Sequence, residues 1–262
     1  RLLASTARET SESRESAGRL LPARREKPLI VIDAGHGGND PGAMGVHQRE
    51  SRLTLAAAQD LKAVLERTRR YRVIMTRDSD VYVGLNRRVE IARQARADLF
   101  ISLHADAGAD PATRGASVYT LSEPGATRAV REVTRRNDWH RALHLPGRDP
   151  SVDRILLDLT QRNTQNRSAQ FARLLVGEID RVRHPLLRRS HRDASLAVLL
   201  APDVPAVLLE MGFMTNPDDE SALSDQRQRR RLMGAVAEGI DNYFRVDGNT
   251  AQRAGLPSPL NG

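Results

Sequence analysis

Short apolar runs alternate with amphipathic segments through the middle of this 262-residue chain. Apolar runs of 4–6 residues next to turn-forming residues are typical of buried strands. The predicted strands are residues 28–33, 72–75, 98–103, 116–121, 195–200 and 205–210. Apolar positions spaced three or four apart predict helices at residues 51–65, 85–96, 125–139, 152–182 and about 220–244. This alternation predicts an α/β fold, a single domain with a mostly parallel central sheet flanked by helices.

The two ends of the chain differ from this pattern because they are polar and carry little apolar periodicity. We expect residues 1–27 to form a disordered linker and residues 246–262 a disordered tail, since neither segment can bury enough surface to offset its ordering entropy. The folded domain is therefore predicted at residues 28–245. Within it, residues 122–192 depart from the strand–helix alternation, and we expect a helical insertion there.

Composition excludes several classes of function. The chain has no Cys, so disulfides, thiolate metal sites and thiol catalysis are excluded. The net charge of +8 comes almost entirely from Arg, which is scattered over every predicted element. Aromatic residues make up only 3% of the chain and no recognition motif accompanies the basic residues, so we expect no nucleic-acid partner. No apolar run approaches the roughly 20 residues that span a bilayer, so we expect no transmembrane segment.

Metal-binding and proton-transferring side chains stand where predicted strands end. His36 and His104 follow the first and third strands, Glu210 ends the last one, and Glu50 precedes the first helix. Ligands bind beyond the carboxyl ends of strands in such sheets, so these groups can converge. Two His and one carboxylate with an open fourth position form the ligand set of a catalytic zinc ion.

Each of these residues also has an ordinary structural interpretation. A His at a strand end is commonly a hydrogen-bonded surface residue, and Glu50 could simply favour a helix N-terminus. Glu210 could be a strand-terminal carboxylate. The helix-borne HExxH zinc motif is not in the sequence. Spacing by itself leaves the metal site and these alternatives equally open.

Several long motifs occur together and in order along the chain. They are residues 30–45 (IVIDAGHGGNDPGAMG), 76–80 (TRDSD), 85–107 (LNRRVEIARQARADLFISLHADA), 115–127 (GASVYTLSEPGAT), 156–172 (LLDLTQRNTQNRSAQFA) and 197–220 (AVLLAPDVPAVLLEMGFMTNPDDE). With these motifs the chain resembles the zinc-dependent N-acetylmuramoyl-L-alanine amidases of the bacterial cell-separation type. The resemblance covers nearly all of residues 28–244.

The resemblance implies roles for four residues. His36, Glu50 and His104 would bind one Zn²⁺ ion, and Glu210 would be the catalytic carboxylate. One departure is Ser51, which follows Glu50 where the family usually has Lys or a similar residue. The implied reaction is hydrolysis of the amide bond between N-acetylmuramic acid and the L-alanine of peptidoglycan stem peptides, in cell-wall remodelling and daughter-cell separation.

The resemblance also implies a regulated enzyme. In one branch of the family, a Glu on a helix of the insertion blocks the zinc ion. The matching stretch here is 129–139, with Arg136-Asn137 where the family often has Glu-Asn, so Glu132 and Asp138 are the regulatory candidates. We therefore expect autoinhibition relieved by an activator protein. We also expect a monomer that acts on peptidoglycan in the periplasm or cell envelope, exported by a signal peptide that this sequence does not contain.

Three other interpretations remain. A zinc hydrolase of the same fold could act on a different amide or peptide bond, and only substrate assays separate this from the amidase. A non-catalytic wall-binding module would have lost a ligand or the base, whereas all four positions are filled. Nucleic-acid binding through Arg is a weak alternative, because Arg is scattered over every predicted element without an aromatic stacking platform.

Overall fold

The computed structural model describes residues 27–135 and 149–253. The strands in this part of the chain are β1 (Leu29–Ala34), β2 (Arg72–Met75), β3 (Leu99–Asp106), β4 (Ala116–Leu121), β5 (Leu186–Ala194) and β6 (Ala206–Phe213). The α-helices are α1 (Glu50–Thr68), α2 (Leu85–Gln94), α3 (Glu123–Thr134), α4 (Pro150–Arg181), α5 (Pro217–Ser224) and α6 (Gln226–Arg253). The α/β prediction is confirmed.

The six strands form one sheet in the order β2-β1-β3-β6-β4-β5. β1, β2, β3 and β6 are mutually parallel where they pair, and β4 is antiparallel to β6. The predicted mostly parallel sheet is therefore confirmed. The central strands β1, β3 and β6 end at the same edge, and their register brings His104 of β3 beside Glu210 of β6.

Apolar side chains cover both faces of the sheet, because successive residues of a strand point to opposite faces. Ile30 and Ile32 belong to the larger cluster, which includes apolar residues of α1, α4 and α6. Val31 lies between them in sequence and belongs to a second cluster that includes residues of α2. Burial on both faces explains why β1 appears in the sequence as an uninterrupted apolar run.

The predicted strand at residues 195–200 is wrong. This segment contains a short 3-10 helix, Ala197–Leu199, whose Val198 and Leu199 are buried in the second cluster. Such a segment resembles a buried strand in sequence. The fifth strand is instead Leu186–Ala194, most of which falls within the predicted helical insertion at residues 122–192. It is an edge strand that pairs with β4 and is largely exposed. Most of its residues are therefore polar, and it does not appear in the sequence as an apolar run.

The C-terminal helical region also differs from the prediction. The single predicted helix at 220–244 is two helices, α5 and α6, separated at Asp225. The backbone remains helical to Arg253, past the predicted start of the tail at residue 246. Extending an existing helix requires no new nucleation, so a few weak helix formers such as Gly248 are tolerated at its end. Residues 1–26 and 254–262 lie outside the described residues.

Candidate metal centre

Three of the predicted site residues lie together at the sheet edge. His36 lies in the turn after β1, Glu50 is the first residue of α1, and His104 lies near the end of β3. Each offers one ligand atom, and the three atoms lie within 4.8 Å of one another. The Glu50 Oε1 atom lies 3.1 Å from His36 Nε2 and 3.0 Å from His104 Nδ1.

The backbone at His36 adopts a left-handed conformation, with φ of 59°. This conformation is uncommon for a residue with a Cβ atom, so surrounding contacts must hold it. Arg88 donates from Nη2 to the His36 carbonyl oxygen at 2.8 Å. Asp40 is hydrogen bonded to His36 Nδ1 at 2.9 Å. That bond leaves Nε2 directed at Glu50, as a ligating imidazole requires.

Backbone amides hold the Glu50 carboxylate on both sides. Oε1 accepts a hydrogen bond from Ala105 N at 3.0 Å, and Oε2 accepts one from Ala43 N at 2.8 Å. Gly42 makes this close approach possible, since a Cβ atom there would lie 2.5 Å from Glu50 Oε2. The carboxylate is therefore oriented by the protein before it binds any ion.

The pKa values of the cluster reflect this proximity. Burial would raise the pKa of Glu50, but its hydrogen bonds and charge interactions with His104 and His36 outweigh burial and hold that pKa well below its usual range. Burial would lower the pKa of His36, but Glu50 and Asp40 raise it. The site thus favours an ionised carboxylate at neutral pH.

Glu210 lies next to this cluster, in register with His104 on the neighbouring strand. Its Oε2 atom is buried and has no hydrogen-bond partner among the described residues. Burial raises the pKa of Glu210 well above its ordinary value, and the charges of Glu50 and Asp106 raise it further. A carboxylate oxygen with a raised pKa and no donor bound to it is suited to accept a proton.

The donor chemistry of the cluster fits a zinc ion. Two imidazole nitrogens and one carboxylate oxygen converge, and this is a ligand set that catalytic zinc sites use. The contact between Asp40 and His36 adds the carboxylate–histidine arrangement that commonly orients a metal ligand.

The two regulatory candidates do not join this cluster. Glu132 lies on α3 with an exposed side chain and forms an ion pair with Arg135 at 3.1 Å. It is not among the residues grouped around His36. Asp138 lies outside the described residues, as do Arg136 and Asn137.

Sequence reasoning missed the residues that support the site. Arg88 was predicted only as part of a helix, yet its side chain is 2% exposed beneath the His36 turn. Arg77 is also buried and donates to the carbonyl oxygens of Gly35 and Ser51, which joins the end of β1 to the start of α1. Arg88 lies in a helix pattern that does not show which Arg is buried, and Arg77 lies in the loop after β2. Their only signal in the sequence is that they fall within the motifs at residues 85–107 and 76–80.

No helix in the described part of the chain is long and apolar enough to cross a membrane.

The chain is similar to bacterial cell-wall amidases in sequence and structure. It is 38% identical over 223 residues to N-acetylmuramoyl-L-alanine amidase AmiC of Neisseria meningitidis serogroup B, covering 83% of this chain and 53% of that protein. It is 36% identical over 224 residues to N-acetylmuramoyl-L-alanine amidase AmiA of Escherichia coli, covering 83% of this chain and 76% of that protein. The chain therefore spans only about half the length of the Neisseria relative.

A solved structure and a family model agree with these relatives. N-acetylmuramoyl-L-alanine amidase AmiC2 of Nostoc punctiforme is 28% identical, with a TM-score of 0.59, over 84% of this chain and 98% of that chain. The Amidase_3 model, described as N-acetylmuramoyl-L-alanine amidase, matches residues 30–242. The expected resemblance is confirmed, and the chain belongs to the Amidase_3 family of N-acetylmuramoyl-L-alanine amidases.

Proposed function

We propose that this protein hydrolyses the amide bond between the lactyl group of N-acetylmuramic acid and the L-alanine of peptidoglycan stem peptides. The observation that carries this proposal is the convergence of His36, Glu50 and His104 beside Glu210, in a chain of the amidase family. The names of the relatives supply the bond, and the geometry supplies groups able to cleave it.

His36, Glu50 and His104 would hold one Zn²⁺ ion. When bound, zinc lowers the pKa of a coordinated water toward about 7 and polarises a carbonyl group. The amides of Ala43 and Ala105 fix the Glu50 carboxylate for this role.

Glu210 is proposed as the general base and then the general acid. It accepts a proton from the water whose oxygen attacks the lactyl carbonyl carbon. When the C–N bond breaks, Glu210 donates that proton to the leaving nitrogen of L-alanine. Its buried Oε2 supports this role, because no described donor competes for it.

The proposed cellular role is cell-wall remodelling and daughter-cell separation by an exported monomer in the periplasm or cell envelope. The net charge of +8 fits weak, salt-sensitive attraction to an anionic envelope.

Digestion of purified peptidoglycan tests the reaction. We expect free stem peptides with L-alanine at the amino end, and no release once a chelator has removed the metal. Release of other fragments would favour a hydrolase of the same fold acting on a different bond. The absence of any product from zinc-loaded protein, and also from a zinc-loaded variant that lacks residues 124–150, would favour a non-catalytic wall-binding module.

The variant Glu210→Gln tests the base. It keeps the shape of the side chain but removes the proton acceptor, so activity should collapse while zinc stays bound. Glu66→Gln is the matched control, because Glu66 is a half-exposed carboxylate on α1. Full activity of Glu210→Gln would refute its assignment.

We further propose that the insertion limits access to the site until an activator protein displaces it, a shift between closed and open populations. Support comes from the first half of α4, where the apolar side chains of Val152, Ile155 and Leu159 are about half exposed or more. Such a surface is expected of a segment that binds a partner. Deleting residues 124–150 should raise the activity of the protein without its activator, and no gain would argue against autoinhibition.

A further inference from the structure

The loop that leads into Glu50 is a tight turn with little apolar support of its own. Gly45 N donates to the Gln48 carbonyl oxygen at 2.9 Å, and Glu50 N donates to the Ala43 carbonyl oxygen at 2.9 Å. The side chains of Met44 and Val46 are 61% and 75% exposed. Burial of apolar side chains therefore does little to hold this loop, residues 43–49, in place.

A carboxylate from the other end of the chain binds the loop instead. Glu220 Oε2 accepts a hydrogen bond from Val46 N at 2.9 Å. Glu220 Oε1 accepts two more, from His47 N at 2.6 Å and Gln48 N at 2.8 Å. Successive backbone amides that point at one anion form a concave binding site, and Glu220 fills this one with a side chain that is 2% exposed.

The sequence of the loop suits this contact. A Cβ atom at Gly45 would lie 2.4 Å from Glu220 Oε1, so only glycine permits the approach. Burial would raise the pKa of Glu220, but the three amide hydrogen bonds outweigh it and the pKa is lowered. The carboxylate is therefore ionised where it binds the loop.

The helix that carries Glu220 is itself fixed to the end of β6. The Asn216 side chain caps α5 by accepting hydrogen bonds from Asp218 N and Asp219 N. Asp219 Oδ2 accepts hydrogen bonds from Phe213 N at 3.0 Å and from Gly115 N at 2.7 Å. Because β6 also carries Glu210, a short chain of contacts joins the strand of Glu210 to the loop before Glu50.

We propose that Glu220 is a positioning residue for the metal centre, which holds the loop of residues 43–49 so that Glu50 stays in place to bind the ion. The proposal rests on the zinc-dependent function proposed above. It assigns Glu220 no contact with substrate or metal.

Zinc affinity is the measurement that tests this role. Wild-type protein, Glu220→Gln and Asp218→Asn are stripped of metal and titrated with Zn²⁺ by calorimetry. Glu220→Gln keeps the size of the side chain but replaces one accepting oxygen with an NH2 group, which cannot accept a hydrogen bond from the loop amides. Its zinc dissociation constant should therefore rise about ten- to a hundredfold. Asp218→Asn is the control on the same helix, since Asp218 pairs with Arg114 at the surface, and its zinc affinity should match that of the wild type.

A purely structural role would give a different result. If Glu220→Gln lowers the thermal midpoint of the metal-stripped protein but binds Zn²⁺ as tightly as the wild type, the proposal is overturned. Should Glu220→Gln not fold, Glu220→Asp is titrated in the same way, because its shorter side chain cannot reach all three amides. Wild-type protein that binds no Zn²⁺ would contradict the proposed function, whereas tight binding by both proteins would contradict only the role of Glu220.

Discussion

The Arg88 guanidinium lies 2.7 Å from the Asp33 carboxylate, and the two side chains are 2% and 0% exposed. Asp33 also accepts hydrogen bonds from Thr76, which directly follows β2, and from Ser102 on β3. Arg88 donates onward to the carbonyl oxygen of His36. This buried ion pair thus connects the centre of the sheet to the turn that carries a proposed metal ligand.

Removing one partner of this pair should be strongly destabilising. Arg88→Met leaves the Asp33 charge buried without its cation, and we expect the free energy of unfolding to fall by about 3–5 kcal/mol. Urea denaturation measures this change. The double variant Asp33→Asn with Arg88→Met should lose less than the sum of the two single variants, and strict additivity would show that the pair is not coupled.

Asp40 should control zinc affinity through His36. The variant Asp40→Ala removes the hydrogen bond to Nδ1, so the ring is no longer held with Nε2 toward Glu50. We expect the zinc dissociation constant to rise about ten- to a hundredfold, as measured by competition with a chromophoric chelator. Asp78→Ala, an exposed Asp of the nearby 78–80 loop, is the control, and equal affinity of the two variants would contradict this role.

Loss of a metal ligand should remove the metal itself. His36→Ala and His104→Ala should each retain little zinc after dialysis, whereas the wild type should retain one ion per chain. Elemental analysis of the purified proteins measures the content. His191→Ala is the control, because His191 lies on β5 and pairs with Thr120 instead. Full zinc content in His104→Ala would place the site elsewhere.

His184 should make stability depend on pH below neutrality. Burial lowers the pKa of His184 from its ordinary value of 6.5, although the hydrogen bond to the Met211 carbonyl oxygen and the charge of Asp219 oppose this, while Arg114 and Arg231 lower it further. His184 therefore binds a proton more weakly in the folded protein than in the unfolded chain. The free energy of unfolding should fall as pH drops below about 6.5.

Comparison with a variant isolates this contribution. His184→Gln retains a donor for Met211 but does not titrate, so its stability should fall less steeply than that of the wild type as pH decreases. Urea denaturation at several pH values between about 7.5 and 5.5 measures both slopes. Equal slopes would mean that His184 does not contribute.

The pattern of apolar residues predicts the strands that are buried on both faces, because such strands are continuous apolar runs. β1, β3, β4 and β6 are largely buried and were found in this way. The short edge strand β2 was found from the apolar run at residues 73–75, although its side chains are exposed or only partly buried. β5 was missed, since it lies at an edge where polar side chains face solvent. Residues 195–200 were misassigned because a buried loop and a buried strand can have the same composition.

Some residues of the site could likewise be predicted from the sequence, and others could not. The sequence by itself determined the fold class and selected His36, Glu50, His104 and Glu210, because these residues stand at element ends and in motifs shared with a known family. Only the tertiary structure brought Arg88 and Glu220 to the site and showed that Asp40 contacts Nδ1 of His36. The contacts of Glu220 and Arg88 join segments as far as 174 residues apart and include backbone amides and carbonyls, which any residue can supply, so the residue types do not reveal them.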